Sequence, residues 1–229
     1  MSDSLKFLLS LTIIFPAAAG IFRYKNADPS YRPFLFYIFI SLFNELWVGF
    51  YINHFSRDIR TLNWQIFNLV EWLILLIQFY YWGRFNKSRS LFYIILSCSL
   101  AGWVYENFIY SNIYAFNPVF LISYSFVLVL LSINTLNSTF AQQNQVLSKN
   151  GLFIICVTMI ILFIYTIIVF LFMAMGTRYD SDLMQKIFNI RVYINALTNL
   201  LYAVGIYYMP LRGVHDAFFK KQQKKNILQ

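Results

Sequence analysis

The sequence predicts an all-α, polytopic membrane protein with seven transmembrane helices in one bundle, and three observations predict it. Of 229 residues, 59% are hydrophobic and only 12% charged, whereas soluble domains carry about 25% charged residues. Mean hydropathy is +0.59, outside the range of soluble classes. Seven hydrophobic stretches are each close to the ~20 residues that cross ~30 Å of hydrocarbon at ~1.5 Å per residue. They run over about 5–22, 33–54, 62–82, 90–110, 118–140, 151–175 and 184–209. The expected organisation is one transmembrane domain over residues 1–210 and a basic cytoplasmic tail over 211–229. The loops are too short for folded domains, so sequential helices should be neighbours.

The first stretch, "LLSLTIIFPAAAG", also fits a cleaved signal peptide, with a short apolar core and an Ala-x-Ala-like end. The basic "IFRYK" follows at once and resists translocation, and Asp3 weakens the leading region. The reading is a retained helix, weakened at Pro16. The later stretches carry stripes of residues at helical spacing in which polar side chains recur. In the second these are Tyr37, Ser41, Asn44, Glu45 and Val48; in the third, Trp64, Asn68, Glu71, Leu75, Gln78 and Trp82. The fourth carries Gly102, Trp103, Glu106 and Tyr110. The fifth and sixth are plainer, with Ser125, Ser132 and Asn134, then Thr158, Tyr165 and Thr166. The seventh carries Arg191, Asn195, Thr198, Asn199 and Tyr202. These stripes should face one another, because lipid cannot satisfy them.

Loop charge predicts the orientation. With the N-terminus outside, inside loops hold twelve basic residues (Arg23, Lys25, Arg32, Arg84, Lys87, Arg89, Lys149, Arg212, Lys220, Lys221, Lys224, Lys225). Outside loops hold five: Lys6, Arg57, Arg60, Arg178 and Lys186. The expectation is N-terminus outside, C-terminus inside. Net charge of +9 is then topology signal and implies no nucleic acid. Lys220, Lys221, Lys224 and Lys225 should contact anionic lipid, at about 1 kcal/mol per basic residue near the surface. A cytoplasmic or membrane protein partner is a further expectation. Abundant Phe, Ile, Tyr, Asn and Lys suggest a bacterial chain, hence the bacterial cytoplasmic (inner) membrane.

With that orientation Glu45, Glu71, Glu106 and Arg191 all fall in the outer half of the membrane. A charged group at a span's centre costs about 2.5–3.5 kcal/mol. Two solutions exist: protonation, because desolvation disfavours the charged form, or pairing with Arg191, which stays charged. Both are expected here, with Glu71 the leading partner for Arg191. Glu45, Asn68, Glu71, Glu106, Arg191, Asn195 and Asn199 form the candidate polar cluster, for a ligand or for structure. Interhelical hydrogen bonds worth about 0.6–2 kcal/mol are the structural alternative.

The chemistry missing from the chain is informative. His54 and His215 are the two histidines, and the topology puts them on opposite faces, so a zinc hydrolase lacks ligands. Ser132 and Thr166 lack a nearby base. No phosphate loop or Cys-x-x-Cys occurs, and Cys98 and Cys156 sit in apolar runs. An enzyme is disfavoured and no cofactor or metal is expected. "IFN" at 66–68 recurs at 187–189, which raises a parallel internal repeat.

The chain resembles a group of small seven-helix membrane proteins common in Bacteroidetes. The likeness covers essentially its whole length. It rests on "RYKNADPSYRPFLFYIFISLFNEL", "IFNLVEWLILL" and the closing "NLLYAVGIYYM". It implies the fold and singles out Glu45 and Glu71. The group's sixth span often opens with an aromatic pair after Pro; here it reads "NGLFIICVTM", without that feature. No activity follows from the likeness. The functional expectation is a receptor-like or sensory protein that binds a small ligand in an outer-half polar cavity between the second, third, fourth and seventh spans. Alternatives are a small secondary transporter with a protonatable Glu, and a structural subunit of a membrane complex.

Overall fold

The computed structural model describes residues 3–51, 55–86, 88–142, 149–175 and 181–212. It is helical: α1 (Asp3–Ser10), α2 (Ile14–Arg23), α3 (Arg32–Phe50), α4 (Arg57–Tyr81), α5 (Arg89–Val104), α6 (Val119–Gln142), α7 (Gly151–Met175) and α8 (Ser181–Tyr207). Among the described residues six stretches are long and apolar enough to cross a membrane: Leu5–Arg23, Pro29–Phe50, Arg57–Tyr81, Arg89–Tyr110, Val119–Phe140 and Gly151–Ala174. The protein is therefore read as a multi-pass membrane protein. Helix α8, 27 residues long, packs in the same bundle but is diluted by Arg191, Asn195, Thr198 and Asn199.

Local sequence explains the breaks. Pro16 has no N–H and its ring crowds the carbonyl four residues back, at Thr12. The chain accordingly tightens to a 3₁₀ turn over Leu11–Ile13 before α2 resumes. Asp28 caps the short 3₁₀ helix Pro29–Tyr31, its carboxylate accepting from Ser30 N at 2.8 Å. Asn150 accepts from Leu152 N at 2.9 Å at the start of α7. After α5 the helix widens into a π-helical segment, Tyr105–Tyr110, a rare form that re-aims side chains.

The helices close a ring. α1 and α2 pack on α8 and, with the intervening turn, on α3; α3 packs on α4, α4 on α6, α6 on α7, and α7 on α8. α5 packs only lightly against α4 and α6, and most of its surface is exposed. The fourth stretch therefore leans on the outside of the ring. This corrects the expectation that it helps to wall the cavity. Its composition allows this placement: α5 is apolar on every side, with Phe92 as its one buried residue.

α7 and α8 approach until backbone touches backbone. A Cβ on Gly151 would lie 2.7 Å from Gly205 O and 2.8 Å from Met209 N, so glycine is required there.

Toward the end of the bundle that carries the 24–31 turn, the interior is an aromatic plug. Phe34, Leu75 and Phe79 are fully buried. Edge-on ring pairs join Phe34 to Tyr202 at 5.2 Å, Tyr31 to Trp82 at 5.7 Å and Phe79 to Trp82 at 5.3 Å. Gln78 clasps this end: its Oε1 accepts from Phe34 N at 2.7 Å and its Nε2 donates to Ser30 O at 2.7 Å. Asp28 N also donates to Pro210 O at 3.0 Å, tying the turn to the end of α8. Arg84, beyond α4, donates to Ser138 Oγ and to Trp82 O, and burial lowers its pKa from the ordinary arginine value.

A candidate ligand-binding cavity

Above the plug, α1, α3, α4, α6, α7 and α8 enclose a cavity of about 830 Å³. Small-molecule sites typically measure about 300–1,000 Å³. Its mouth carries Lys6, Gly49 and Arg60, at the end of the bundle that holds α1; its floor is set by Ile13, Tyr37 and Tyr202.

Glu71 is the best-held polar group. Its place on α4 puts it one turn from Asn68 and two turns from Gln78, on one face. Tyr37 on α3 donates its hydroxyl to Glu71 Oε1 at 2.8 Å. Tyr124 on α6 donates to Oε2 at 2.7 Å. Each carboxylate oxygen thus has an O–H donor from a different helix. The same Tyr124 hydroxyl lies 3.5 Å from Asn68 Oδ1.

Arg191 lies elsewhere on the wall. Its guanidinium stacks over the Phe170 ring at 4.7 Å from the centroid. Among the described residues no ion pair joins it to Glu71 or Glu45, although both carboxylates lie within its electrostatic reach. The expected Glu71–Arg191 contact is therefore corrected. The two tyrosines already occupy the carboxylate, and a planar guanidinium gains from the aromatic face instead. Glu45 also lines the cavity, with Ser10 of α1 beside its carboxylate.

Asn195 lines the wall, and Asn199 Nδ2 donates to Thr12 Oγ1 at 3.0 Å. That bond reaches the carbonyl-shifted turn that Pro16 creates. Six of the seven residues of the sequence-derived cluster thus share one cavity: Glu45, Asn68, Glu71, Arg191, Asn195 and Asn199.

Glu106 does not join them. Its two oxygens accept from Val119 N at 3.0 Å and Phe120 N at 2.6 Å. It sits at the N-terminus of α6, just past Pro118, where backbone N–H groups have no intrahelical acceptor and a carboxylate is favoured. The π segment turns it there. Lys220, Lys221, Lys224, Lys225 and His215 lie outside the described residues, as does His54.

Three residues that line the cavity carry a buried polar atom with no partner: Ser41 Oγ, Asn68 Nδ2 and Tyr202 Oη. Asn68 is 4% exposed and Tyr202 1%. A buried polar group left unpaired costs about 1–3 kcal/mol.

Sequence reasoning missed Tyr124, Ser10 and Phe163, whereas Tyr165 and Thr166, named on the sixth stretch, do line the cavity. A signal for Tyr124 existed. It begins a buried stripe on α6 through Leu128, Ser132, Thr135 and Thr139, spaced three or four residues apart.

No family model matches the chain, and neither a curated protein nor a solved structure matches it.

Proposed function

We propose that the protein is a receptor-like or sensory membrane protein that binds a small polar ligand in this cavity. The observation that carries the reading is the cavity of about 830 Å³ whose wall gathers Glu45, Glu71 and Arg191 with Asn195 and Asn199. Lys6, Arg60 and Arg191 stand against Glu45 and Glu71 along the wall, three cations to two carboxylates. That balance favours a small organic acid that also carries amine or hydroxyl donors. Its carboxylate would meet Arg191, and its donors would meet Glu45 and Glu71. The aromatic plug beneath Tyr202 blocks the path onward and suits recognition better than passage.

The orientation belongs to the same proposal: cavity outward, C-terminus in the cytoplasm, in a bacterial inner membrane. The cytoplasmic loops and basic tail would pass the signal to a protein partner.

A second reading is a small secondary transporter. It is favoured by the polar line of Asn195, Thr198 and Asn199 along α8, in which Asn195 and Asn199 line the cavity and Thr198 is fully buried.

The test is a thermal-shift screen of the purified chain against amino and hydroxy acids, their amides and their esters. The proposal expects acids to stabilise the wild type and esters and amides not to. It also expects Arg191→Gln to abolish the shift. If no acid shifts the wild type, or if amides and esters shift it equally, the reading fails. Uptake of the stabilising compound into proteoliposomes would select the transporter instead.

A further inference from the structure

At the opposite end from the cavity mouth, a groove of about 690 Å³ opens on the outer surface of the bundle between α2, α3 and α4. Its walls are apolar: Ile21, Phe36, Phe39, Ile74 and Ile77. Ile21 is 66% exposed, Phe36 56% and Ile77 40%. A bundle that crosses a membrane presents such side chains to acyl chains, so exposure alone is ordinary here. The rim is not. Lys25 and Arg32 crown the groove, Tyr24 and Tyr81 flank them, and no carboxylate lines it.

The cations of this turn divide their roles. Arg23 is engaged: it donates to Tyr207 O and stacks on the Tyr207 ring at 5.2 Å. Lys25 and Arg32 are exposed, and among the described residues no hydrogen bond or ion pair engages either side chain. Two charges held at the head of an apolar groove, level with interfacial tyrosines, match a molecule with an anionic head and a hydrocarbon tail.

We propose that this groove binds one anionic phospholipid, its phosphate between Lys25 and Arg32 and an acyl chain along Phe36, Phe39 and Ile77. Basic pockets between transmembrane helices recognise acidic head groups through charge. A phosphatidylcholine offers the same tail and phosphate, but its ammonium offsets the charge. From the attraction of a basic residue to an anionic surface, two cations correspond to a preference of roughly thirtyfold. The site is independent of the cavity and of the ligand proposed for it.

Native mass spectrometry of the full chain, released from detergent with added lipid, reads this directly. Phosphatidylglycerol and phosphatidylcholine of identical acyl chains are the probes. The wild type should retain one phosphatidylglycerol at about thirtyfold lower lipid concentration than phosphatidylcholine. The double variant Lys25→Gln/Arg32→Gln should lose that preference. Ile77→Trp, which fills the groove and keeps both cations, should lose the retained lipid altogether. Both changes fall on exposed positions, and thermal unfolding of each variant confirms an intact fold. An undiminished preference in the double variant overturns the proposal. So does normal retention by Ile77→Trp, which would make the cations an open charged surface. Inorganic phosphate binding as tightly as phosphatidylglycerol also overturns it.

Discussion

Removing one oxygen atom, in Tyr124→Phe, tests how Glu71 is held. The Tyr124 ring packs against Trp72, Phe120 and Phe163 at centroid distances of 5.7, 5.2 and 6.2 Å. Phenylalanine keeps those contacts, so the hydroxyl bond to Glu71 at 2.7 Å is the main loss. A hydrogen bond to a charged group is worth about 1.5–3 kcal/mol. Ordinary interhelical bonds in membranes average about 0.6 kcal/mol and reach about 1.7. If Glu71 is a carboxylate accepting at both oxygens, Tyr124→Phe costs about 2 kcal/mol. For a chain of 150–250 residues that lowers the melting temperature by about 4–8 °C. Glu71→Gln presents an amide N–H₂ to one tyrosine and removes the charge. In the double variant the two losses should overlap. Reversible unfolding in mixed micelles, run as a double-mutant cycle, should give a coupling of about 1.5 kcal/mol or more. A coupling at or below about 0.6 kcal/mol refutes the reasoning: Glu71 would then be ordinary interhelical glue.

Other outcomes follow from single contacts. Glu106→Ala leaves the first N–H groups of α6 unpaired and should cost about 1–3 kcal/mol. Any ligand-induced thermal shift should survive it, because Glu106 lies away from the cavity. Gln78→Leu removes two bonds at the plug, to Phe34 N and Ser30 O. It should destabilise by more than Tyr124→Phe when the two are unfolded side by side. Gly151→Ala forces α7 away from the α8 backbone and should cost about 1–3 kcal/mol, read as a lower melting temperature. Arg191→Lys keeps the charge but loses the planar stacking over Phe170, so it should weaken ligand binding without abolishing it, in the same thermal-shift assay.

Much of the helical layout was legible because hydropathy reports length directly. The stretch at 118–140 matches α6 to within two residues and that at 151–175 coincides with α7, and the Pro16 break falls where ring geometry puts it. The polar faces were legible too, since Asn68 and Glu71 on α4 and Asn195 and Asn199 on α8 recur at helical spacing. What spacing cannot supply is which face meets which. Glu106 shares the chemical character of Glu71, yet a π segment sends it to cap a neighbour. Tyr124 reads as one aromatic among many, although its hydroxyl completes the Glu71 site. Arg191 invites a carboxylate partner on charge alone, and the ring of Phe170, distant in sequence, takes the place instead. The first stretch contributed no expected site residue, but Ser10 and Thr12 reach the cavity and Asn199.

The most direct measurement of the central claim is a differential pull-down of small molecules. Wild-type, Glu71→Gln and Arg191→Gln proteins are equilibrated with a bacterial metabolite extract, washed, denatured and analysed by mass spectrometry. The account predicts at least one small organic acid enriched on the wild type at stoichiometric level and lost from both variants. Identical profiles on all three proteins, with the variants folded, would contradict it and leave the cavity's polar wall a structural feature.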